Sequence, residues 1–132
     1  MSIFIDTSAF LAILNPDDKN HQEAKKRWEE LLLQDEKLVC SNYVLVETMA
    51  LIQNRFGMEA LRAFQEDVVP ILAIKWVDEF THQAGITSML TANRRKLSFV
   101  DCVSFDIMRQ LGIKRAFAFD RHFEEQGFEC IP

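Results

Sequence analysis

Acidic side chains end two of the apolar runs in this sequence, at positions where a carboxylate could do chemistry. Asp6 ends the run at residues 3–5, and Asp120 ends the run at residues 116–119. Both runs are typical of buried parallel strands, whose carboxyl ends meet at one edge of a sheet. Taken alone, each acid is better explained as a helix cap or a turn residue. Taken together, they predict a shared acidic site at that edge.

Glu47 lies in a predicted helix, within a stretch where eight of the ten residues 43–52 are apolar. An ionised carboxylate on such a face is costly unless a cation or a hydrogen-bond donor compensates it. The structural alternative is a Glu47 that reaches the rim, or that pairs with Arg55 or Arg62. We favour a functional role, because buried glutamates are rare without a partner.

Asp101 follows Ser98 by three residues, which is the spacing of a helix capping box. This cap competes evenly with a metal-binding role, and a carboxylate at the amino end of a helix can serve both purposes. Asp106 lies about 140° further round the same helix, so we predict that it is a solvated surface residue.

If the four carboxylates Asp6, Glu47, Asp101 and Asp120 converge, they raise one another's pKa values unless a cation sits among them. A ligand set of oxygens alone suits Mg²⁺ or Mn²⁺ rather than Zn²⁺. Such an ion can activate water and neutralise charge on a phosphoryl oxygen. The reaction that fits this set best is metal-dependent hydrolysis of phosphodiester bonds.

The elements that would position these acids alternate along the chain. Strands are predicted near residues 3–5, 38–40, 71–76, 116–119 and 128–131. Between them, helices are predicted at residues 8–14, around 24–32, from 42 to about 56, at 61–68 before Pro70, from Asp78 to about 93, and from Ser98 to Gly112. The pattern predicts an α/β sandwich with a mostly parallel sheet. A length of 132 residues predicts one domain over residues 1–132.

Composition excludes several classes of protein. The formal charge of −5 provides no global basic field for a polyanion. The apolar runs are far shorter than the roughly 18 residues of a membrane span, and the first residues lack the basic start of a signal peptide. The three cysteines form no C-x-x-C pair, and their odd number argues against a disulfide framework. We therefore expect a cytoplasmic protein without a membrane partner.

Four segments, in order along nearly the whole chain, resemble the motifs of a PIN domain, and specifically of a VapC-like toxin ribonuclease. They are residues 4–9, 44–48, 97–105 and 117–123 with 127–128. The resemblance implies a three-layer sandwich with a central, mostly parallel sheet of four to five strands flanked by helices. It also implies partners, namely an RNA substrate, a VapB-type antitoxin and a second copy of the chain in a homodimer.

The resemblance further implies an endoribonuclease site that uses Mg²⁺ or Mn²⁺ and is built from the same four acids. Thr7 or Ser8 would support the site through hydrogen bonds to a carboxylate or to metal-bound water. Ala118 departs from the family pattern, because relatives often carry Thr or Ser two residues before the last aspartate. One supporting hydroxyl is therefore missing, while all four acids are present.

Basic residues cluster on either side of the predicted site. Arg94, Arg95 and Lys96 precede the helix that carries Asp101, and Arg121 and His122 follow Asp120. We predict that these five residues contact RNA phosphates, which would position the RNA without reading its sequence. An ordinary solvated basic surface is an equally good explanation.

Two rival enzyme or signalling classes fit less well. A receiver-type signalling domain needs a pair of acids after the first strand, where this chain has only Asp6. A haloacid-dehalogenase-like phosphatase needs Asp-x-Asp, and position 8 is Ser. A third alternative is a catalytically silent PIN-like module that binds RNA or supports assembly, although the presence of all four acids argues against it.

Overall fold

A computed structural model describes residues 1–132 and contains one sheet of five parallel strands. The strands are β1 (Ser2–Ile5), β2 (Lys37–Ser41), β3 (Ala73–Lys75), β4 (Arg115–Phe117) and β5 (Glu129–Ile131). They lie in the order β3-β2-β1-β4-β5, and Phe4 of β1 is paired with Val39 of β2 and Ala116 of β4. The strand order therefore reverses between β1 and β4. Ligands of open α/β sheets bind at such a switch point, outside the carboxyl ends of the strands.

Seven α-helices connect the strands. They are α1 (Thr7–Leu14), α2 (His21–Leu33), α3 (Asn42–Phe56), α4 (Met58–Ala63), α5 (Glu79–Ala92), α6 (Phe99–Leu111) and α7 (His122–Glu125). Side chains cap four of them: Asp6 caps α1, Ser41 caps α3, Asp78 caps α5, and Ser98 caps α6. Gly112 ends α6 in the left-handed conformation, with a φ of 67°. The predicted α/β sandwich is confirmed.

The central strand is buried on both faces. Ile3, Phe4 and Ile5 have no exposed surface, because helices cover the sheet on either side. Helix α6 packs closely against α5 at Gly85, where an added Cβ would stand 2.6 Å from Cγ2 of Val103. This close approach fixes α6, and hence its first turn, relative to α5.

The segment before β3 differs from its prediction. The chain does not leave the helix before Pro70 but continues through a π-helical turn, Phe64–Val68, and a 3₁₀ turn, Val69–Ile71, that contains the proline. Proline is tolerated there because the first turn of a helix does not need its missing N–H. Strand β3 consequently starts later and is shorter than predicted.

The segment after β4 also differs from its prediction. The strand ends at Phe117, so Asp120 lies in a turn beyond the strand rather than directly at its end. The short helix α7 that follows was not predicted, and its buried Phe123 anchors it to the core. None of the helices combines the length and the apolar character needed to cross a membrane.

Candidate metal-binding active site

Asp6 lies at the carboxyl end of β1 and is only 4% exposed. Its Oδ2 accepts hydrogen bonds from the backbone N–H of Ser8 at 3.2 Å and from the Ser8 hydroxyl at 2.6 Å. The Ser8 Oγ in turn accepts a hydrogen bond from the backbone N–H of Phe119 at 3.0 Å. One hydroxyl thus holds the Asp6 carboxylate and links the ends of β1 and β4.

Asp101 lies in the first turn of α6 and is 8% exposed. The capping box predicted from the sequence is present: Asp101 N–H donates to Ser98 Oγ at 3.0 Å, and Ser98 N–H donates to Asp101 Oδ2 at 3.2 Å. The cap orients the carboxylate toward the turn after β4. Asp101 therefore caps α6 and also lies close to a second acid, and the sequence allowed both roles.

Asp120 and His122 lie together in the turn that follows β4. The backbone N–H of His122 donates to Asp120 Oδ1 at 2.9 Å. The His122 ring nitrogen Nδ1 lies 3.0 Å from Asp120 Oδ1 and 3.5 Å from Asp101 Oδ2. One potential ligand atom from each of Asp101, Asp120 and His122 lies within 4.8 Å of the other two. His122, predicted to contact RNA phosphates, is therefore a member of the acidic cluster.

Burial and the charges of neighbouring acids disfavour ionisation of Asp6 and Asp101. Burial is the main cause that raises the pKa of Asp6 to about 6, and the charges of Asp101 and Asp120 raise it further against the hydrogen bonds from Ser8. Burial also raises the pKa of Asp101, with Asp120 as the second cause. Asp6, Asp101 and Asp120 are thus close enough to act on one another, and neither an arginine nor a lysine pairs with any of them.

Glu47 lies on α3 and is half-buried, outside the cluster of Asp101, Asp120 and His122. It pairs with neither Arg55 nor Arg62. The apolar composition of α3 led to an overestimate of the burial of Glu47, because the neighbouring side chains of Val46 and Ala50 are exposed. The structure therefore does not bring Glu47 into this cluster.

The two supporting hydroxyl residues have different roles in the structure. Ser8 binds the Asp6 carboxylate, as described above. Thr7 is buried, and its Oγ1 accepts a hydrogen bond at 3.0 Å from Thr48 Oγ1. This bond ties the start of α1 to α3, one residue after Glu47, so it holds the Glu47 backbone close to the Asp6 segment.

Asp106 is not the solvated surface residue that the sequence predicted. It is half-buried, its Oδ2 is buried without a hydrogen-bond partner, and burial raises its pKa. The helical phase correctly predicted that Asp106 and Asp101 lie on different faces of α6. The face with Asp106, however, borders a small cavity that Asp106 shares with Ser88 of α5, and not open solvent.

The predicted RNA-contacting residues Arg94, Arg95, Lys96 and Arg121 are exposed. Arg94 Nη2 pairs with Glu125 Oε2 at 3.1 Å, whereas Arg95 makes no ion pair. Arg94 and Arg95 line an open groove of about 420 Å³ that also includes Ser98, the cap of α6. The groove therefore lies beside the helix end that carries Asp101.

The donors of the cluster fit a divalent cation. Two carboxylates and an imidazole converge, and a third carboxylate is buried nearby. The His122 Nδ1 is a buried polar atom without a hydrogen-bond partner, which is the state expected of a ligand that lacks its ion. Asp101, Asp120 and His122 could hold such an ion directly, with Asp6 beside them.

Comparison with known proteins gives consistent results. The model of the PIN domain family matches residues 3–129. The 23S rRNA-specific endonuclease VapC20 of Mycobacterium tuberculosis is 33% identical over 127 residues, which cover 96% of this chain and 95% of that protein. A VapC ribonuclease of Aquifex aeolicus is 23% identical, and the alignment covers 96% of this chain and 93% of that protein.

Solved structures agree on the fold. The crystal structure of M. tuberculosis VapC20, described as a toxin that cleaves the sarcin-ricin loop, superposes with a TM-score of 0.85 and covers 98% of this chain and 99% of its own. FitAcB from Neisseria gonorrhoeae shares only 14% sequence identity but superposes with a TM-score of 0.71, covering 100% of this chain and 97% of its own.

Proposed function

The chain belongs to the PIN domain family, and we propose that it is an endoribonuclease that hydrolyses RNA phosphodiester bonds with Mg²⁺ or Mn²⁺. One observation carries the proposal: Asp101 and Asp120 meet at the switch point of the sheet, beside buried Asp6, with no arginine or lysine to neutralise them. A divalent ion would remove the repulsion that the folded chain leaves uncompensated.

The four acids Asp6, Glu47, Asp101 and Asp120 form the proposed catalytic and metal-binding set. When bound, a divalent ion supplies an activated water and neutralises charge on the phosphoryl oxygen. Asp101 and Asp120 would hold the ion, and buried Asp6 would contribute negative charge close to them. Glu47 stays in the proposed set because the Thr48 to Thr7 hydrogen bond holds its backbone close to the Asp6 segment.

Two hydroxyl groups position these acids. Ser8 Oγ fixes one oxygen of Asp6 through a hydrogen bond of 2.6 Å, which leaves the other oxygen available for a cation. The Thr48 to Thr7 hydrogen bond keeps α3, and hence Glu47, next to the start of α1. Groups of this kind orient ligands without binding the metal themselves, and their loss typically costs about 10- to 100-fold in activity or metal affinity.

RNA would lie along the groove beside α6. Arg94 and Arg95 line this groove beside Ser98, the cap of the helix that carries Asp101. Lys96 and Arg121 are also exposed, and Arg121 follows Asp120 directly, so these four residues could hold phosphates while one phosphate reaches the metal. Because the relative at 33% identity is named as specific for 23S rRNA, we propose ribosomal RNA as the first substrate to test.

We further propose that the protein is the cytoplasmic toxin of a toxin–antitoxin pair, with a VapB-type antitoxin, and that it forms a homodimer. The relatives named VapC support the pairing. Exposed large apolar side chains are available for protein contacts. They include Val46, Trp76, Phe80 and Leu90.

The test is cleavage of ribosomal RNA by the purified chain with Mn²⁺, with Mg²⁺ and with EDTA. We expect cleavage only with metal, and ends that carry a 5′-phosphate and a 3′-hydroxyl. Asp101→Asn should lose at least about a hundredfold in rate, since metal ligation is worth several kcal/mol and 1.36 kcal/mol is tenfold.

Asp106→Asn is the matched control, because Asp106 lies on the same helix and is partly buried but is outside the cluster. It should keep the parent's rate. Cleavage that survives EDTA, or that both variants reduce equally, would contradict the proposed site. A complete absence of cleavage together with metal-independent RNA binding would support the silent-module alternative.

A further inference from the structure

His122 is the one member of the cluster that a carboxylate site would not require. Its Nδ1 lies 3.0 Å from Asp120 Oδ1 and 3.5 Å from Asp101 Oδ2. The nitrogen is buried, yet neither contact has the geometry of a hydrogen bond, so Nδ1 has no hydrogen-bond partner. A neutral or charged imidazole placed for pairing would be expected to aim its N–H at one of these oxygens.

The spacing instead fits ligands of one ion. Neighbouring ligands on an octahedral ion with bonds of about 2.1 Å stand about 3 Å apart. The 3.0 Å separation of His122 Nδ1 and Asp120 Oδ1 matches this value, and the third ligand atom, from Asp101, completes a group within 4.8 Å. The His122 backbone N–H bonds to Asp120 Oδ1 at 2.9 Å, which fixes the two residues relative to each other.

We propose that His122 is a nitrogen ligand of the metal ion held by Asp101 and Asp120, and that it biases this site toward Mn²⁺ over Mg²⁺. The inference rests on the proposed function, because it requires that a divalent cation binds at the cluster. The physical reason for the bias is ligand chemistry. Imidazole suits transition-metal ions, whereas Mg²⁺ prefers oxygen ligands and keeps its waters.

The first measurement uses the unmodified protein. Pulsed electron paramagnetic resonance of the Mn²⁺-loaded chain should show coupling to a directly bound imidazole nitrogen. His122→Gln should lose this coupling and His21→Gln should keep it, because His21 lies at the start of α2, where its Nδ1 contacts the carbonyl of Ala12 at 2.8 Å.

The second measurement compares affinities by calorimetric titration with MnCl₂ and with MgCl₂. His122→Gln should weaken Mn²⁺ binding by at least about tenfold, the lower end of what loss of a supporting group costs a metal site. Mg²⁺ binding should change by less than about threefold, so the preference for Mn²⁺ shrinks.

Three outcomes would overturn the inference, and the third would also overturn the proposed function. If the parent binds Mn²⁺ without nitrogen coupling, or if His122→Gln leaves the ratio of the two affinities unchanged, His122 is not a ligand, while the proposed nuclease function stands. If the parent binds neither ion, the proposed metal-dependent function fails as well. The resonance measurement needs no variant, so a His122→Gln chain that misfolds would not block the test.

Discussion

Acidic residues at the two ends of the parallel sheet have opposite pKa shifts, because only those at one end have an arginine partner. At the amino ends of the strands, Glu36 lies just before β2 and accepts a hydrogen bond from Arg115 of β4 at 3.0 Å. This bond is the main cause that holds the pKa of Glu36 below its ordinary value. At the carboxyl ends, Asp6 and Asp101 have no such partner, and burial raises the pKa of both.

The difference separates an acid that the fold pairs with an arginine from acids that are buried without an arginine or lysine partner. Glu36 and Arg115 are 79 residues apart in sequence and join two strands, so the carboxylate is already compensated when the chain folds. Asp6 is buried at a cost that the fold alone does not repay. Acids gathered in this way at the switch point support the proposed cation site.

The largest effect that would sharpen this comparison is the pH dependence of stability without metal. The raised pKa of Asp6, about 6 against an ordinary 3.8, means that the folded state prefers the protonated acid. The contribution of Asp6 is therefore fully present below about pH 4 and is lost as the pH rises through 6, a change of about 3 kcal/mol. Urea unfolding in EDTA between pH 4 and pH 7.5 would measure it.

Asp6→Asn should remove this fall, so its stability relative to the parent increases with pH. Glu36→Gln should show the opposite trend. The lowered pKa of Glu36 gives stability that is present above its ordinary value of 4.5 and is lost as the pH falls. If the free energy of unfolding of Asp6→Asn changed with pH as the parent's does, burial would not raise the pKa of Asp6.

The next effect is the response to metal at pH 7.5. An ion at a hundred times its Kd stabilises a protein that binds it only when folded by about 2.7 kcal/mol. We expect Mn²⁺ to raise the Tm of the parent and of Glu36→Gln, and to leave Asp6→Asn and Asp101→Asn nearly unchanged. Differential scanning fluorimetry with and without Mn²⁺ measures this.

The same experiment without metal tests the sign of each acid's contribution. Glu36→Gln should melt below the parent because Arg115 loses its partner. Asp6→Asn and Asp101→Asn should melt at or above the parent, since asparagine caps a helix as well as aspartate and carries no charge to bury. A marked loss of Tm in both aspartate variants would mean that these residues act only as caps.

Local sequence signals predicted much of the fold. The spacing of Ser98 and Asp101 predicted both the capping box and the start of α6, and Asp78 marked the start of α5, because caps depend on residues a few positions apart. Strand ends were less predictable. The end of β4 depends on pairing with β1 and β5, and apolar Ala118 and Phe119 extend beyond that pairing.

Of the predicted acids, the structure brings Asp101 and Asp120 together beside buried Asp6 and leaves Glu47 outside, and it adds an imidazole that was expected to contact RNA. His122 follows exposed Arg121, so its sequence neighbours indicated a basic surface, whereas the turn after β4 folds its Nδ1 back to Asp120. The Asp-x-His spacing was the one signal that could have suggested a ligand. The burial of Asp106 depends on how α5 packs on α6, and a single helix pattern does not contain that information.

The smallest expected effect extends the comparison from acidic to basic side chains, one paired and one unpaired. Arg94 is compensated by Glu125 at 3.1 Å, while neighbouring Arg95 is exposed and makes no ion pair. In a background of Asp101→Asn, which prevents cleavage, Arg95→Ala should weaken RNA binding several-fold. It should also lower the slope of log K against log salt by about 0.7 for one lost phosphate contact on a single strand.

Arg94→Ala should have a smaller effect than Arg95→Ala, because binding RNA through Arg94 first requires breaking its pair with Glu125. Glu125→Gln should then strengthen binding by freeing Arg94, and Lys26→Ala on α2, away from the groove, should change nothing. Fluorescence anisotropy at several KCl concentrations gives the slopes of the parent and of the four variants. Equal slopes for the parent and Arg95→Ala would remove Arg95 from the RNA surface, and equal losses at both arginines would show that the pair with Glu125 does not restrain Arg94.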